Sequence, residues 1–186
     1  MKARWRALAV PACHAAQLSA FTDERGGFLK LFNNGAFAKI LPGMVVREAY
    51  LTTSAKGVLR GIHFQLPPHD HAKIVICLSG AALDVMVDLR GGCGFGRTAS
   101  VELTPEGTNC VAIPKGVGHG FYTREADTRL LYLVETGHAP QSDAGVMWDS
   151  IGFDWPDRTP LLSDRDRNHP ALADFTVPAE WFNDHD

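Results

Sequence analysis

The residues with the most chemistry per unit length lie between Gly57 and Gly80, in GVLRGIHFQLPPHDHAKIVICLSG. Arg60, His63, Gln65, His69, His71 and Lys73 fall in this span, around a Pro67-Pro68 turn and alongside an apolar stretch from Lys73 to Leu78. Histidine titrates near neutrality and serves as a base, and a lysine ammonium stabilises negative charge developing on oxygen. A base beside an oxyanion partner is equipment for removing a proton next to a carbonyl. Taken singly, a histidine among apolar neighbours is more often a hydrogen-bonded structural group, and a lysine opening a strand is more often a surface charge. Finding Arg60, His63 and Lys73 in one segment shifts the balance toward a site, because alternate residues of barrel strands point inward together.

A metal is the competing use of these histidines. His69-Asp70-His71, with the His119 of Pro114-Lys-Gly-Val-Gly-His119, suggests a small cupin-type barrel, where an HxH, a Glu and a distant His converge on one ion. After His71 the chain reads AlaLysIleValIleCys with no Glu, so the charge-balancing carboxylate is missing and no metal is expected. Gly94-Phe-Gly96-Arg-Thr-Ala99 formally matches a dinucleotide fingerprint, but it opens onto SVEL rather than a helix and reads as a glycine-rich turn.

The elements that must position these side chains read as strands. VVREAYLT, KIVICLS, ALDVMVDL, ASVEL, NCVAIP and RLLYLVET follow one another from residue 45, separated by glycine, proline or polar clusters. In Leu83 to Leu89 the alternation is clean, predicting one face on the core and the other, with Asp84 and Asp88, on a cavity or water. Upstream, residues 1–20 read as an arm or edge strand, FTDERGGF as a charged turn, residues 30–32 as a strand, and Asn33 to Lys39 as a short helix ended by Pro42-Gly43. Beyond Trp155-Pro156 a polar, proline-bearing segment is expected to form loop and a short helix that folds back. Many short strands with few helices predict an all-β sandwich or barrel, as one domain over residues 1–186.

Composition narrows the partners. With 18 basic and 21 acidic residues in 186, the formal charge is -3, so no basic field points to nucleic acid or an anionic membrane. No apolar run reaches the roughly 20 residues that span a bilayer. The opening MKARWRALAVPACHAA imitates an export signal, but Pro11 and Cys13 cut its apolar run short. Cys13, Cys77, Cys93 and Cys110 form no CxxC pair, which predicts reduced thiols in a cytoplasm.

Seven segments carry a resemblance over nearly the whole chain: DERGGF (23–28), GVLRGIHFQ (57–65), DVMVDLR (84–90), IPKGVGHGF (113–121), Trp148-Asp149, Trp155-Pro156 and LSDRD (162–166). In this order they resemble the dTDP-4-dehydrorhamnose 3,5-epimerase family. The resemblance implies a double-stranded β-helix (cupin or jelly-roll) fold, a homodimer, no metal or other cofactor, and a nucleotide-linked 4-keto-6-deoxy sugar as substrate. It implies His63 as general base, Asp166 as the carboxylate orienting it, and Lys73 as the stabiliser of an enolate at O4. Arg60, Gln65 and His119 become substrate contacts, and Arg25 with Phe28 part of the nucleotide site.

Three positions depart from the family pattern. A Tyr two residues before a proline commonly serves as the acid, and here His138 stands there, in Thr136-Gly-His138-Ala-Pro140; Tyr132 on the preceding strand is a substitute acid or a core aromatic. Phe-x-Glu becomes Phe28-Leu-Lys30, and Gln-x-Asn-x-Ser-x-Ser becomes Glu48-Ala-Tyr-Leu-Thr-Thr-Ser54. Charge changes at Lys30 and Glu48 bear on which nucleotide is favoured. The reading is an epimerase acting at C3, C5 or both, with a single-centre epimerase, a metal-dependent cupin and a non-catalytic sugar-nucleotide-binding cupin as alternatives.

Overall fold

A computed structural model describes residues 3–182. Two antiparallel sheets face one another. The larger runs in the order β1 (Ala3–Ala7), β2 (His14–Leu18), β10 (Cys110–Ile113), β7 (Lys73–Ser79), β12 (Thr128–Val134), β5 (Glu48–Ser54). The smaller runs β13 (Asp143–Gly145), β6 (Leu59–Gln65), β11 (Val117–Thr123), β8 (Ala82–Asp88), β9 (Thr98–Leu103). From β5 onward the chain passes back and forth between the sheets, the winding of a jelly roll. Beside them stand a hairpin, β3 (Phe21–Asp23) with β4 (Gly26–Phe28), and two short helices, α1 (Asn34–Phe37) and α2 (Asp164–Arg167).

Period-two patterning makes three apolar layers. Val75, Cys77, Val111, Ile113, Leu130 and Tyr132 of the larger sheet meet Met86, Val101, Leu103 and Phe121 of the smaller one in the space between them. Ile74, Ile76, Cys110, Ala112 and Leu133 point outward and are covered by Phe37, Leu41 and Met44 from the segment around α1, whose first turn is capped by Asn33. Leu83, Val85, Val87 and Leu89 point outward from β8 and are covered by Trp148, Trp155 and Trp181 of the C-terminal segment. β8 is therefore buried on both faces: Asp84 and Asp88 meet neither water nor an open cavity wall but His119 and a bidentate Arg90.

Several expectations need correction. Residues 30–32 form no strand, FTDERGGF is a hairpin rather than a simple turn, and β5 begins only at Glu48. β6, β11 and β13 carry no apolar alternation and were not expected as strands, although β6 and β11 bring the key side chains inward.

Strict alternation also fails for Arg60 and His63, which are three residues apart and would face opposite ways. Both nevertheless border one cavity, while Leu59, Ile62 and Phe64 all pack outward under the C-terminal segment. The phase change comes from a bulge: His63 pairs with His119, and Arg60 with Phe121, so three steps on β6 answer two on β11. Gly61 supplies the extra residue at φ +135°, and a Cβ there would meet the Gly120 Cα at 2.5 Å and the His119 carbonyl oxygen at 3.0 Å. Both contacts are backbone and cannot swing aside. Gly61→Ala is expected to destabilise the fold by about 2 kcal/mol or more, lowering Tm by on the order of 4–8 °C, with a matching loss of activity; a variant melting within about 1 °C of the parent would show that the bulge does not need glycine.

Candidate active site

The two sheets part at one end to leave a cavity of about 310 Å³, bordered by His63, Gln65, His71, Lys73, Glu48, Tyr50 and His138 among others. A narrower one of about 100 Å³ lies against Arg60, His119 and Tyr132 and shares part of that wall. His63 projects from β6, and its Nε2 makes a short contact with Asp166 Oδ1. A carboxylate only accepts, so Nε2 carries the proton and Nδ1 holds the lone pair that a base uses. Asp166 sits in the first turn of α2, where the Ser163 side chain accepts from its backbone N–H at 3.1 Å, and it is 2 % exposed.

The electrostatics favour the neutral form of the His63 imidazole. Burial pushes its pKa below the ordinary 6.5, and the Asp166 hydrogen bond and charge pull only partly the other way. Burial works to raise the Asp166 pKa, but hydrogen bonds from His63 and Ser163 hold it below the usual carboxylate value. His169 adds a second imidazole, its Nε2 3.6 Å from the same Asp166 oxygen. Lys73 opens β7, is 7 % exposed, and donates from Nζ to the His63 carbonyl oxygen at 3.4 Å. Burial brings its pKa down to about 8, opposed by the charges of Asp84 and Asp143.

The remaining residues divide. Arg60 Nε donates to Ser54 Oγ at 3.1 Å, and His119 Nε2 donates to Asp84 Oδ2 at 2.8 Å behind the inner cavity. Gln65 borders the cavity but is committed to loops, donating to the His69 carbonyl at 2.8 Å and accepting from the Ala139 N–H at 2.7 Å. Glu48 accepts the His138 backbone N–H at 2.9 Å, and the His138 side chain lies on the exposed rim. Tyr132 is buried, with burial raising its pKa well above the usual value, and acts as the aromatic backing of Tyr50. Arg25 and Phe28 lie on the hairpin and border a separate cleft, with Arg25 85 % exposed and tied to Asp23 at 2.6 Å; Lys30 is exposed beyond it. Within one chain these three do not join the cavity.

The histidines proposed for a metal do not converge. His69 bonds Ser142 at 2.9 Å, His71 bonds Thr136 at 2.8 Å, and His119 faces Asp84. Among the described residues, the group whose donor atoms all lie within 4.8 Å of one another is His63, Asp166 and His169. An ion held there would compete with the hydrogen bond between His63 and Asp166. Residue-level reasoning missed Asp84, Tyr50, Asp143, Arg165 and His169 as parts of the site; only Asp84 carried a signal, as a carboxylate facing inward on an alternating strand.

The family model for dTDP-4-dehydrorhamnose 3,5-epimerase matches residues 7–174. The chain belongs to this family. It is 38% identical over 156 residues to the dTDP-4-dehydrorhamnose 3,5-epimerase of Mycolicibacterium smegmatis, covering 82% of this chain and 78% of that one. It is 37% identical over 157 residues to a dTDP-4-dehydro-6-deoxyglucose 3-epimerase of Streptomyces bikiniensis, covering 82% and 80%. Among solved structures, the Legionella pneumophila dTDP-6-deoxy-D-glucose-3,5-epimerase in complex with dTDP-4-keto-L-rhamnose superposes with a TM-score of 0.88 at 28% identity, covering 97% of each chain.

The two titrating groups that an epimerase of this family would use here set opposite limbs of a pH profile. As pH rises, kcat/KM is expected to climb while His63 loses its proton, with an apparent pKa below 6.5, and to fall as Lys73 loses its own near 8. Lys73→Arg keeps its charge across that range and should remove the basic limb from whatever activity remains; a basic limb that stays near 8 in this variant assigns it to another group.

Proposed function

We propose that the chain inverts C3, C5 or both of a dTDP-linked 4-keto-6-deoxy sugar, through an enolate. The reading rests above all on one observation: a neutral, desolvated imidazole held by a buried carboxylate beside a buried lysine, at the wall of a sugar-sized cavity. The C4 ketone acidifies the adjacent C–H bonds. His63 Nδ1 takes the proton, the bonding pair becomes the enolate double bond, and charge collects on O4. The Lys73 ammonium stabilises that oxygen more in the transition state than in the ketone. Asp166 fixes the tautomer and stabilises the imidazolium. Arg60 and His119 contact the sugar or phosphates from the inner end, with Gln65 holding the loops that frame the mouth.

A single-centre epimerase is the second reading, supported by the likeness to 3-epimerases at 37% identity. The nucleotide is assigned as thymidine from the names of the relatives, with Arg25, Phe28, Lys30 and Glu48 as its contacts. We place the enzyme in a cytoplasm, where the free cysteines Cys13, Cys77, Cys93 and Cys110 stay reduced; no helix among the described residues is long and apolar enough to cross a membrane. The enzyme is a homodimer in this reading, its contact using the exposed apolar residues of edge strand β5 and the hairpin, Leu51, Phe21 and Phe28. A second copy would bring a hairpin to the cavity that one chain leaves without it. Sedimentation at micromolar concentration should show a two-chain species, and a monomer there removes this part.

Incubating the enzyme with dTDP-4-dehydro-6-deoxyglucose in D₂O should place deuterium at C3, C5 or both, and so decide between the readings. His63→Ala should cut this exchange by about 10²-fold or more. Undiminished exchange in that variant would exclude His63 as the base, and no incorporation by the unaltered enzyme would exclude the epimerase reading with this substrate.

A further inference from the structure

Inversion needs a proton delivered to the ring face opposite the one that lost it, and the groups around the cavities differ sharply in their fitness for this. Three residues border both the outer and the inner cavity: His63, Lys73 and Tyr50. The first two are taken as base and enolate partner. We propose that Tyr50 is the catalytic acid, returning the proton to the carbon from the side opposite His63. This rests on the assignment of His63 as base.

The placement of the ring supports the role. His63 comes from β6 of the smaller sheet and Tyr50 from β5, the edge strand of the larger one, so a sugar between the sheets has the imidazole on one side and the phenol on the other. Tyr50 pairs directly with Tyr132 across β5 and β12, and the two rings stack with centroids 4.7 Å apart and planes 8° from parallel. Tyr132 is 6 % exposed and packed in the core between the sheets, so the stack sets the Tyr50 ring plane against the cavity. Desolvation, with the negative charges of Glu48 and Asp143, raises the Tyr50 pKa to about 12. The phenol therefore stays protonated at neutral pH and holds the proton it must give. His138 borders the outer cavity alone, on the exposed rim, with its backbone rather than its imidazole engaged by Glu48.

The step balances without a further reagent except water. His63 has taken the C–H proton and become imidazolium. The Tyr50 O–H bond then breaks, its proton forms the new C–H bond with the enolate π pair, and O4 returns to a carbonyl. Phenolate and imidazolium are reset by proton exchange with water, to which the 42 % exposure of Tyr50 gives access.

Tyr50→Phe keeps the stack on Tyr132 and removes only the proton. With dTDP-4-dehydro-6-deoxyglucose in D₂O, the readout is the ratio of inverted product to deuterium exchanged without inversion, measured in one sample so that a less active preparation leaves the ratio unchanged. The ratio should fall by about 10²-fold or more in Tyr50→Phe, because His63 still removes a proton and returns deuterium on its own face. A ratio within about threefold of the parent overturns the proposal. So does a collapse of the ratio in His138→Gln with Tyr50→Phe unaffected, which would make His138 the acid. His63→Ala separates the two assignments: if it keeps exchanging, the base is wrong, whereas a normal ratio in Tyr50→Phe with exchange lost in His63→Ala shows that the acid alone is wrong.

Discussion

The structure depends on a carboxylate buried almost completely beneath the surface. Asp166 is 2 % exposed, and an ionised group so placed is tolerable only when its lone pairs are occupied. His63 occupies one, and His169 lies beside the same oxygen. The partnership fixes the tautomer of the imidazole and, with it, the nitrogen left free for chemistry. It also ties the far end of the chain to the middle, across 103 positions. The rest of the C-terminal segment is arranged to deliver that carboxylate: Leu161 exchanges backbone hydrogen bonds with Gly57 and Leu59, and Trp148, Trp155 and Trp181 cover the outer face of the smaller sheet. The cover and the carboxylate that holds His63 thus come from one stretch of chain.

The interior carries its charges in the same way. Asp84 faces His119 and Asp88 faces Arg90, so each buried carboxylate has a cationic or hydrogen-bonding partner. Lys73 is less well provided for. It has a single distant carbonyl contact and nearby but not touching carboxylates, and burial lowers its pKa accordingly. In the proposed reaction, a group left short of solvation in the resting protein gains most when an enolate oxygen arrives, which is the difference between ground state and transition state that catalysis requires.

The patterning of the apolar strands made much of the architecture legible. KIVICLS, ALDVMVDL, ASVEL and RLLYLVET appear close to their observed limits because a half-buried strand shows its apolar residues at period two and one buried on both faces shows a short continuous apolar run. β6 and β11 escaped the same reasoning because glycines and a bulge break the period, and those are the strands that hold Arg60, His63 and His119. Departures from regular structure and functional side chains coincide here for a physical reason: only an extra residue puts Arg60 and His63 on one face. The meeting of His63 and Asp166 lay beyond spacing altogether and entered through the family resemblance. Tyr50 was hidden because an aromatic residue on a strand is ordinary; its proposed role rests on the two cavities it borders. His69 and His71 serve loop hydrogen bonds with Ser142 and Thr136 and do not gather with His119 around one point.

If the Asp166–His63 pair is what sets the base, the ionisation of one imidazole must report it. Nitrogen-15 NMR titration of His63 in the native protein and in Asp166→Asn measures this directly. The account predicts a native pKa below 6.5, and a still lower one in the Asn variant, since the burial remains while the carboxylate that opposed it is gone. A native His63 pKa at or above 6.5, or one that does not move when Asp166 is neutralised, would contradict it.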